Sequence, residues 1–325
     1  MYANSNPTCY GREQSGSNLG TKKGTEMSAS VLVAIPFTLF AIILLLCFVG
    51  CDQLFQLDHI KPPFRRYTSI ILAEQTLVAY WSLGEPAGST TAVDSKSGLN
   101  GTYLSQAFPD DPPAGSAAAP GMLALGQAGI VPGDKVPPHD DTSPGTTCIE
   151  VNGGYVSVPF DSALNPTKAD GFTIEAWVRV GWTRADPEAH RVIIASIDAA
   201  GGIGKGYMLL ASPPNIWRGF VFTGGGVQAI ANGPEVIFDT TSHLVLTYDG
   251  STLRLFVNGA HSTSTVTDYQ ASIESRLFIG AGGPHLPEPR FPWVGKIQCV
   301  ALYKGALPAE QIAKHAIFGN GGDAS

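Results

Sequence analysis

HLVLTYDGSTLRLFVNG, residues 243–259, is the stretch that decides the fold. Successive side chains of a strand point to opposite faces. Leu244, Leu246 and Tyr248 therefore share one face of a first strand, and Leu253, Leu255 and Val257 one face of a second. Between them stands Asp249-Gly250, a pair suited to the positive φ angles of a two-residue type I′ turn. Asn258-Gly259 ends the second strand with another such pair. The pattern predicts an antiparallel hairpin with one buried face.

Working outward, the same signature recurs. GFTIEAWVRVG (171–181) sets Phe172, Ile174, Ala176 and Val178 on one face, with Glu175, Trp177 and Arg179 on the other. CIEVNGGYVSVP (148–159) reads as a hairpin closed by Gly153-Gly154. GYMLLAS (206–212), RGFVFTG (218–224) and GVQAIA (226–231) continue a meander, and RLFIGAG (276–282) adds a further strand. Many short alternating strands with Gly and Pro turns predict two antiparallel sheets packed face to face. The chain has 325 residues, with 38 Gly, 24 Pro and only 14% charged residues, which suits such a loop-rich all-β protein. Its net charge of −7 and the lack of any Lys/Arg run exclude a nucleic-acid partner. Residues 105–147 read as a long Pro/Gly/Ala loop with one short strand near Met122–Leu125, and His139 beside Asp140-Asp141 reads as a solvated acidic segment.

Four stretches carry a family resemblance. Tyr80-Trp81, Leu83-Gly84-Glu85, Asp94-Ser95 and Asn100-Gly101-Thr102-Tyr103 form an opening motif; Phe172-Thr173-Ile174-Glu175-Ala176-Trp177-Val178 follows; then the Tyr248-Asp249-Gly250 turn with its Asn258-Gly259 end; then WVGKIQCVALYKGALPAEQIAKHAIFG (293–319). In this order they resemble laminin-G-like domains of the concanavalin A-like lectin superfamily. The resemblance implies a jelly-roll sandwich over residues 76–320, closed by a short helix whose first turn suits Pro308. Trp81, Trp177 and Tyr303 then read as core aromatics.

Before the sandwich, residues 1–27 are polar and predicted to be disordered. SASVLVAIPFTLFAIILLLCFVGC (28–51) holds no charge and supplies the ~20 apolar residues a single transmembrane helix needs. Residues 52–75 form a connector and 321–325 a tail. Basic residues flank the apolar run equally, with Arg12, Lys22 and Lys23 before it and Lys61, Arg65 and Arg66 after it, so charge does not orient it. The family resemblance and the cysteines discussed below favour an extracellular or periplasmic C-terminal domain. Three processing routes stay open: an uncleaved anchor, a lipoprotein box at Phe48-Val49-Gly50-Cys51 with Cys51 lipidated, and a pilin-like leader cut after Gly24.

Chemistry is sparse. No nucleophile elbow, zinc motif or phosphate loop occurs. Gly201-Gly202-Ile203-Gly204-Lys205-Gly206 lacks the Ser or Thr and the helix a phosphate site needs, and reads as a hairpin turn. Glycoside hydrolysis needs two carboxyls about 5 Å or 6.5–9.5 Å apart, whereas Glu175 stands alone on its strand. The protein is therefore expected not to be an enzyme. The resemblance also raises a calcium ion at the sandwich edge, held by Asp94 and Asn100 of the opening turn and by Gln298 of the closing strand. At that strand Gln298-Cys299 replace the family's two carboxylates. It further implies that the strands of Cys148 and Cys299 are neighbours, hence a Cys148–Cys299 disulfide and an oxidising compartment.

The function expected is a membrane-anchored recognition or adhesion module binding a glycan or a surface protein. Candidate contacts are Trp182, His190, Arg191, Asn215, Trp217 and Arg218 in two loops, where exposed aromatics beside cations suit sugar faces and hydroxyls. The alternative is a structural subunit of a surface assembly, such as a pilus-like filament, surface layer or virion, with the jelly roll making contacts between copies.

Overall fold

The computed structural model describes residues 66–105, 122–135, 147–182, 189–198, 204–282 and 289–322. The expected polar tail, the membrane helix, Cys51 and most of the connector lie outside them. Among the described residues no helix is long and apolar enough to cross a membrane.

The deciding hairpin forms as β12 (Thr241–Tyr248) and β13 (Thr252–Val257), with Leu244 opposite Val257 and Tyr248 opposite Leu253. All six residues of its predicted face lie in the central core. The turn differs from expectation. Pairing of Tyr248 with Leu253 leaves residues 249–252 in the loop, and of the Asp-Gly pair only Gly250 takes positive φ, +96°. Asp249 instead folds the loop through its carboxylate, which accepts the Ser251 and Thr252 amides at 3.0 and 2.8 Å. The two-residue turn with both φ values positive occurs one strand later, at Asn258 (+53°) and Gly259 (+78°), joining β13 to β14 (Ala260–Val266).

One sheet runs β14-β13-β12-β7-β16-β5-β4, with β1 also paired to β16. Here β7 is Phe172–Val180, β16 Val294–Lys304, β5 Thr147–Asn152, β4 Met122–Ala128 and β1 Leu77–Trp81. The other runs β11-β10-β9-β8-β15-β6-β3-β2. Its strands are β11 (Val227–Glu235), β10 (Ile216–Gly224), β9 (Lys205–Ser212), β8 (Arg191–Asp198), β15 (Leu277–Ile279), β6 (Tyr155–Val158), β3 (Gly101–Leu104) and β2 (Thr91–Ala92). Phe172, Ile174, Ala176 and Val178 of β7 face the core between the sheets, as their alternation requires. Trp81 joins that core, while Trp177 and Tyr303 are buried on the outer face of the first sheet.

The chain through Gly153-Gly154 is a corner between sheets rather than a hairpin. β5 pairs with β16 and β4, whereas β6 pairs with β15 and β3. Gly153 takes φ +98°, and a Cβ on Gly154 would sit 2.6 Å from that of Leu123. Two glycines let the strand bend sharply where a hairpin would have carried it back into its own sheet.

Two helices cover the outer face of the first sheet. α1 (Tyr67–Leu72) lies before the sandwich and buries Tyr67 and Ile71 in the same cluster as Trp177 and Tyr303. α2 (Ala309–Gly319) follows Pro308 and buries Ile312, His315 and Ala316. It approaches so closely that a Cβ on Gly319 would lie 2.0 Å from Trp177.

Candidate functional site

The strand order gathers several loops at one pole of the sandwich. There β7, β9, β11 and β15 end, and β8, β10, β12 and β16 begin. All six predicted contact residues converge at this pole, although they come from separate loops. Trp182 donates its indole N–H to Asn215 Oδ1 at 2.9 Å, and the Arg191 guanidinium lies 5.1 Å above the Trp182 ring. Trp182 stands edge-on to Trp293 at 5.0 Å, and Trp217 stacks on Trp293 at 6.2 Å.

Convergence does not mean exposure. Trp182 and Trp217 retain only 4% and 1% of their surface, and Asn215 and Arg191 are also buried. The expectation of exposed indoles is therefore corrected. On β10, Trp217 and Val221 point between the sheets by the period of two, so the loop tryptophan is drawn into the core. Trp182, Trp217 and Trp293 form the floor of the pole, and Asn215, at φ +70°, braces it.

What reaches solvent is the layer above that floor. Arg218 and His190 are half-buried and linked through Ser212: Arg218 Nη1 donates to Ser212 Oγ at 2.9 Å, and that hydroxyl lies 3.0 Å from His190 Nδ1. The ring of Phe291 stands 5.3 Å from His190, partly exposed, on a backbone held at φ +53°. Such a φ is an outlier for an aromatic residue and is sustained here by surrounding structure; the Phe291 carbonyl accepts the Val192 amide at 3.0 Å. Arg290 beside it is exposed. Phe291 and Arg290 escaped sequence reasoning because nothing local marks the stretch before the closing strand as neighbouring Arg218.

The residues suggested for calcium do not fit a cation. Asp94 Oδ1 accepts the amides of Tyr80 and Lys96, and Oδ2 those of Ser97 and Leu99, all at 2.8–3.0 Å. Asn100 Oδ1 is taken by the Asp94 amide, and Gln298 Oε1 by those of Ile130 and Val131. The two Asp94 oxygens and Gln298 Oε1 each accept two backbone amides and are saturated, so Asn100 Oδ1, with one donor, would be left as a lone neutral ligand. The opening motif is thus a carboxylate-centred turn. Among the described residues no group of three or more His, Cys, Asp or Glu could hold a metal ion.

The expected disulfide is also corrected: Cys148 and Cys299 are both free and buried. The two strands are neighbours, but Ile297 pairs with Ile149. One step further along that antiparallel ladder would set Cys148 against Gln298. Each thiol is engaged separately, Cys148 Sγ with the Ala128 carbonyl at 3.1 Å and Cys299 Sγ with the Tyr80 hydroxyl at 3.1 Å. Burial pushes the Cys148 thiol up to about 12.

A second polar centre was missed. Glu175 is fully buried on β7 and receives four donors. Its Oε1 accepts from the Tyr67 hydroxyl at 2.5 Å and His243 Nε2 at 2.7 Å; its Oε2 accepts from the Tyr303 hydroxyl at 2.6 Å and His315 Nδ1 at 3.0 Å. His315 Nε2 meets Glu74 Oε1 at 3.2 Å, so its ring bridges two carboxylates. Burial works to raise the Glu175 carboxyl, but His315 and His243 outweigh it and hold it well below the usual range. Burial likewise works to lower His315, and Glu175 with Glu74 overcome it, pushing the imidazole up to about 9. The signal available was a carboxylate in the middle of an otherwise apolar strand, which demands partners. Its donors come from both helices and two other strands, far apart in sequence. Enclosed and saturated, Glu175 builds structure and has no room for a substrate.

A family described as the concanavalin A-like lectin/glucanases superfamily matches residues 151–313. Curated proteins give no match to the sequence. Among solved structures, the chain is similar to domain 4 of an extracellular arabinanase from Geobacillus stearothermophilus, solved with arabinotriose. The two are 15% identical, with 74% of this chain and 98% of that chain covered and a TM-score of 0.49. A mutant of the domain named HCR/D is 11% identical, with 74% and 52% covered and a TM-score of 0.51. The binding domain of Botulinum neurotoxin serotype G is 13% identical, with 74% and 50% covered and a TM-score of 0.48. The chain spans about half the length of the last two. At these identities the likeness is one of fold.

Proposed function

We infer the function of this chain from the family to which it belongs, the concanavalin A-like lectin/glucanases superfamily: it is a recognition module that binds a glycan through the loop pole. The observation that carries this is the convergence there of a partly exposed aromatic, Phe291, with Arg218 and His190 over a floor of buried tryptophans. A flat apolar ring offers a sugar face its surface, and fixed polar groups select among hydroxyls. The rigid floor lowers the ordering cost of binding. The arabinanase domain to which the chain is similar was solved with arabinotriose, which is in keeping with such a role. We read the module as non-catalytic, a reading supported by the sealing of Glu175, the acid centred on its strand, beneath α1 and α2. Residues 28–51 anchor it in a membrane with the sandwich outside; with both thiols free, that placement rests on the uncharged run and on the family. The test is binding of the full chain, in detergent, to a broad oligosaccharide panel. Phe291→Ala is expected to abolish binding while leaving the folded domain intact. Wild-type protein that binds no sugar, or Phe291→Ala that binds as wild type, refutes the proposal.

A further inference from the structure

Cations unpaired among the described residues occur at both ends of the sandwich, exposed Arg276 at the far pole among them, so what singles out a cation is its setting. At the pole opposite the loops, Lys168 pairs with Asp268 at 2.9 Å, Arg254 with Asp249 at 2.5 Å and Lys304 with Asp170 at 3.2 Å. At the loop pole, Arg218 and Arg290 have no acid partner among the described residues. Arg218 is the more telling of the two. It alternates with Phe220 and Phe222 on the outer face of its sheet, so its stem runs at the border of an apolar cluster that Phe291 packs against. Its Nε is buried without an acceptor, while Nη1 is fixed on the neutral hydroxyl of Ser212. Of the described acids in the same loops, Glu235 lies opposite Ile216 and is already engaged, and Asp239 sits exposed in the turn before β12.

A guanidinium that is partly desolvated, fixed in direction and uncompensated is the condition under which an arriving anion gains most, through charge-assisted hydrogen bonds. The adjacent Phe291 ring supplies the apolar contact that a free inorganic anion would not use. We propose that the ligand of the loop pole is an acidic glycan, with the sugar ring against Phe291 and its carboxylate or sulfate on Arg218. Arg290, exposed beside Phe291, adds longer-range attraction, in a protein whose net charge of −7 otherwise repels polyanions. This rests on the glycan-binding role proposed above and names the class of sugar.

The experiment uses the full chain in detergent against matched oligosaccharides: a neutral parent, its uronic-acid or sialylated counterpart, and its sulfated counterpart. The acidic members are expected to bind about tenfold or more tightly than the parent, as the loss of one charge-assisted contact implies. The advantage should shrink as salt is raised. Arg218→Gln, checked for an unchanged melting temperature, should lower affinity for the acidic sugars about tenfold more than for the neutral parent, bringing the two classes level; a preference for acidic sugars kept in full by the variant overturns the inference. The carboxylated and sulfated arms identify which anion the site takes. Equal affinity for neutral and acidic sugars overturns this inference but leaves glycan binding standing. An acidic peptide that binds as well as the acidic sugars overturns it in favour of a polyanion surface. Failure to bind any sugar removes both.

Discussion

Replacing Glu175 by Gln keeps the shape of the side chain and removes the charge on which two histidines and two tyrosines converge. The wild-type contribution follows from His315, whose imidazole rises from 6.5 to about 9 in the folded protein. At ~1.4 kcal/mol per pH unit, that difference stabilises the fold by roughly 3 kcal/mol. The sign is that of a group raised on folding: the contribution is complete below 6.5 and is lost as pH climbs through 9. Glu175 itself is lowered, so its share is present above its ordinary 4.5 and fades only as pH falls through its depressed value. Between about 4.5 and 6.5 both contributions act in full, so the network itself stabilises most in mildly acid solution. In Glu175→Gln the amide turns a donor toward neighbours that are donors themselves, and His315 keeps only Glu74. Removing one partner of a buried pair costs about 3–5 kcal/mol, in line with the figure from His315. Urea unfolding followed by tryptophan fluorescence at pH 5.5, 7.5 and 9 reads both effects. The variant should lose about 3 kcal/mol at pH 5.5, with a much flatter decline toward pH 9. A variant within about 0.5 kcal/mol of wild type, or one that keeps the full alkaline decline, would refute the assignment of charge to this network.

A chain begun at Thr76 removes Tyr67 and Ile71, both fully buried, and leaves Glu175 one donor short. It should unfold at clearly lower urea than one begun at Pro63, by about 3 kcal/mol or more; equal midpoints would mean α1 is not part of the domain. The thiols give a second check. In unreduced native protein Cys148 and Cys299 should react slowly with a thiol reagent, being buried and, for Cys148, pushed up to about 12. After denaturation without reductant both should appear as free sulfhydryls; their absence would mean a bond has formed.

Much of the sandwich was legible because strand alternation is local. Leu244, Leu246 and Tyr248 must share a face whatever surrounds them, and Phe172 to Val178 likewise, so the faces of β12, β13 and β7 could be read directly. Turn chemistry was legible in kind but not in place. Asn258-Gly259 adopts the double positive φ, whereas Asp249 finds a cheaper arrangement by accepting amides with its own carboxylate. Gly153-Gly154 marks a sharp bend, but whether the chain returns to its own sheet or crosses to the other depends on which strands lie waiting, and that is a long-range fact.

The candidate site divides the same way. Its six residues were found together because they flank loops, yet burial of Trp182 and Trp217 was not readable, since it depends on Trp293 arriving from a distant part of the chain. The Glu175 network shows the limit most plainly. Sequence by itself determined that a carboxylate would sit in the middle of an apolar strand, that two sheets would pack on the alternating faces, and that a short helix would close the chain. Only tertiary structure decided that Tyr67, His243, Tyr303 and His315 would meet that carboxylate, that two neighbouring cysteines would stay apart, and that Arg218 would sit near Phe291 with no acid partner among the described residues. The reason is physical: backbone geometry fixes side-chain direction within a few residues, whereas partnership is set by the packing of elements whose separation along the chain carries no local signal.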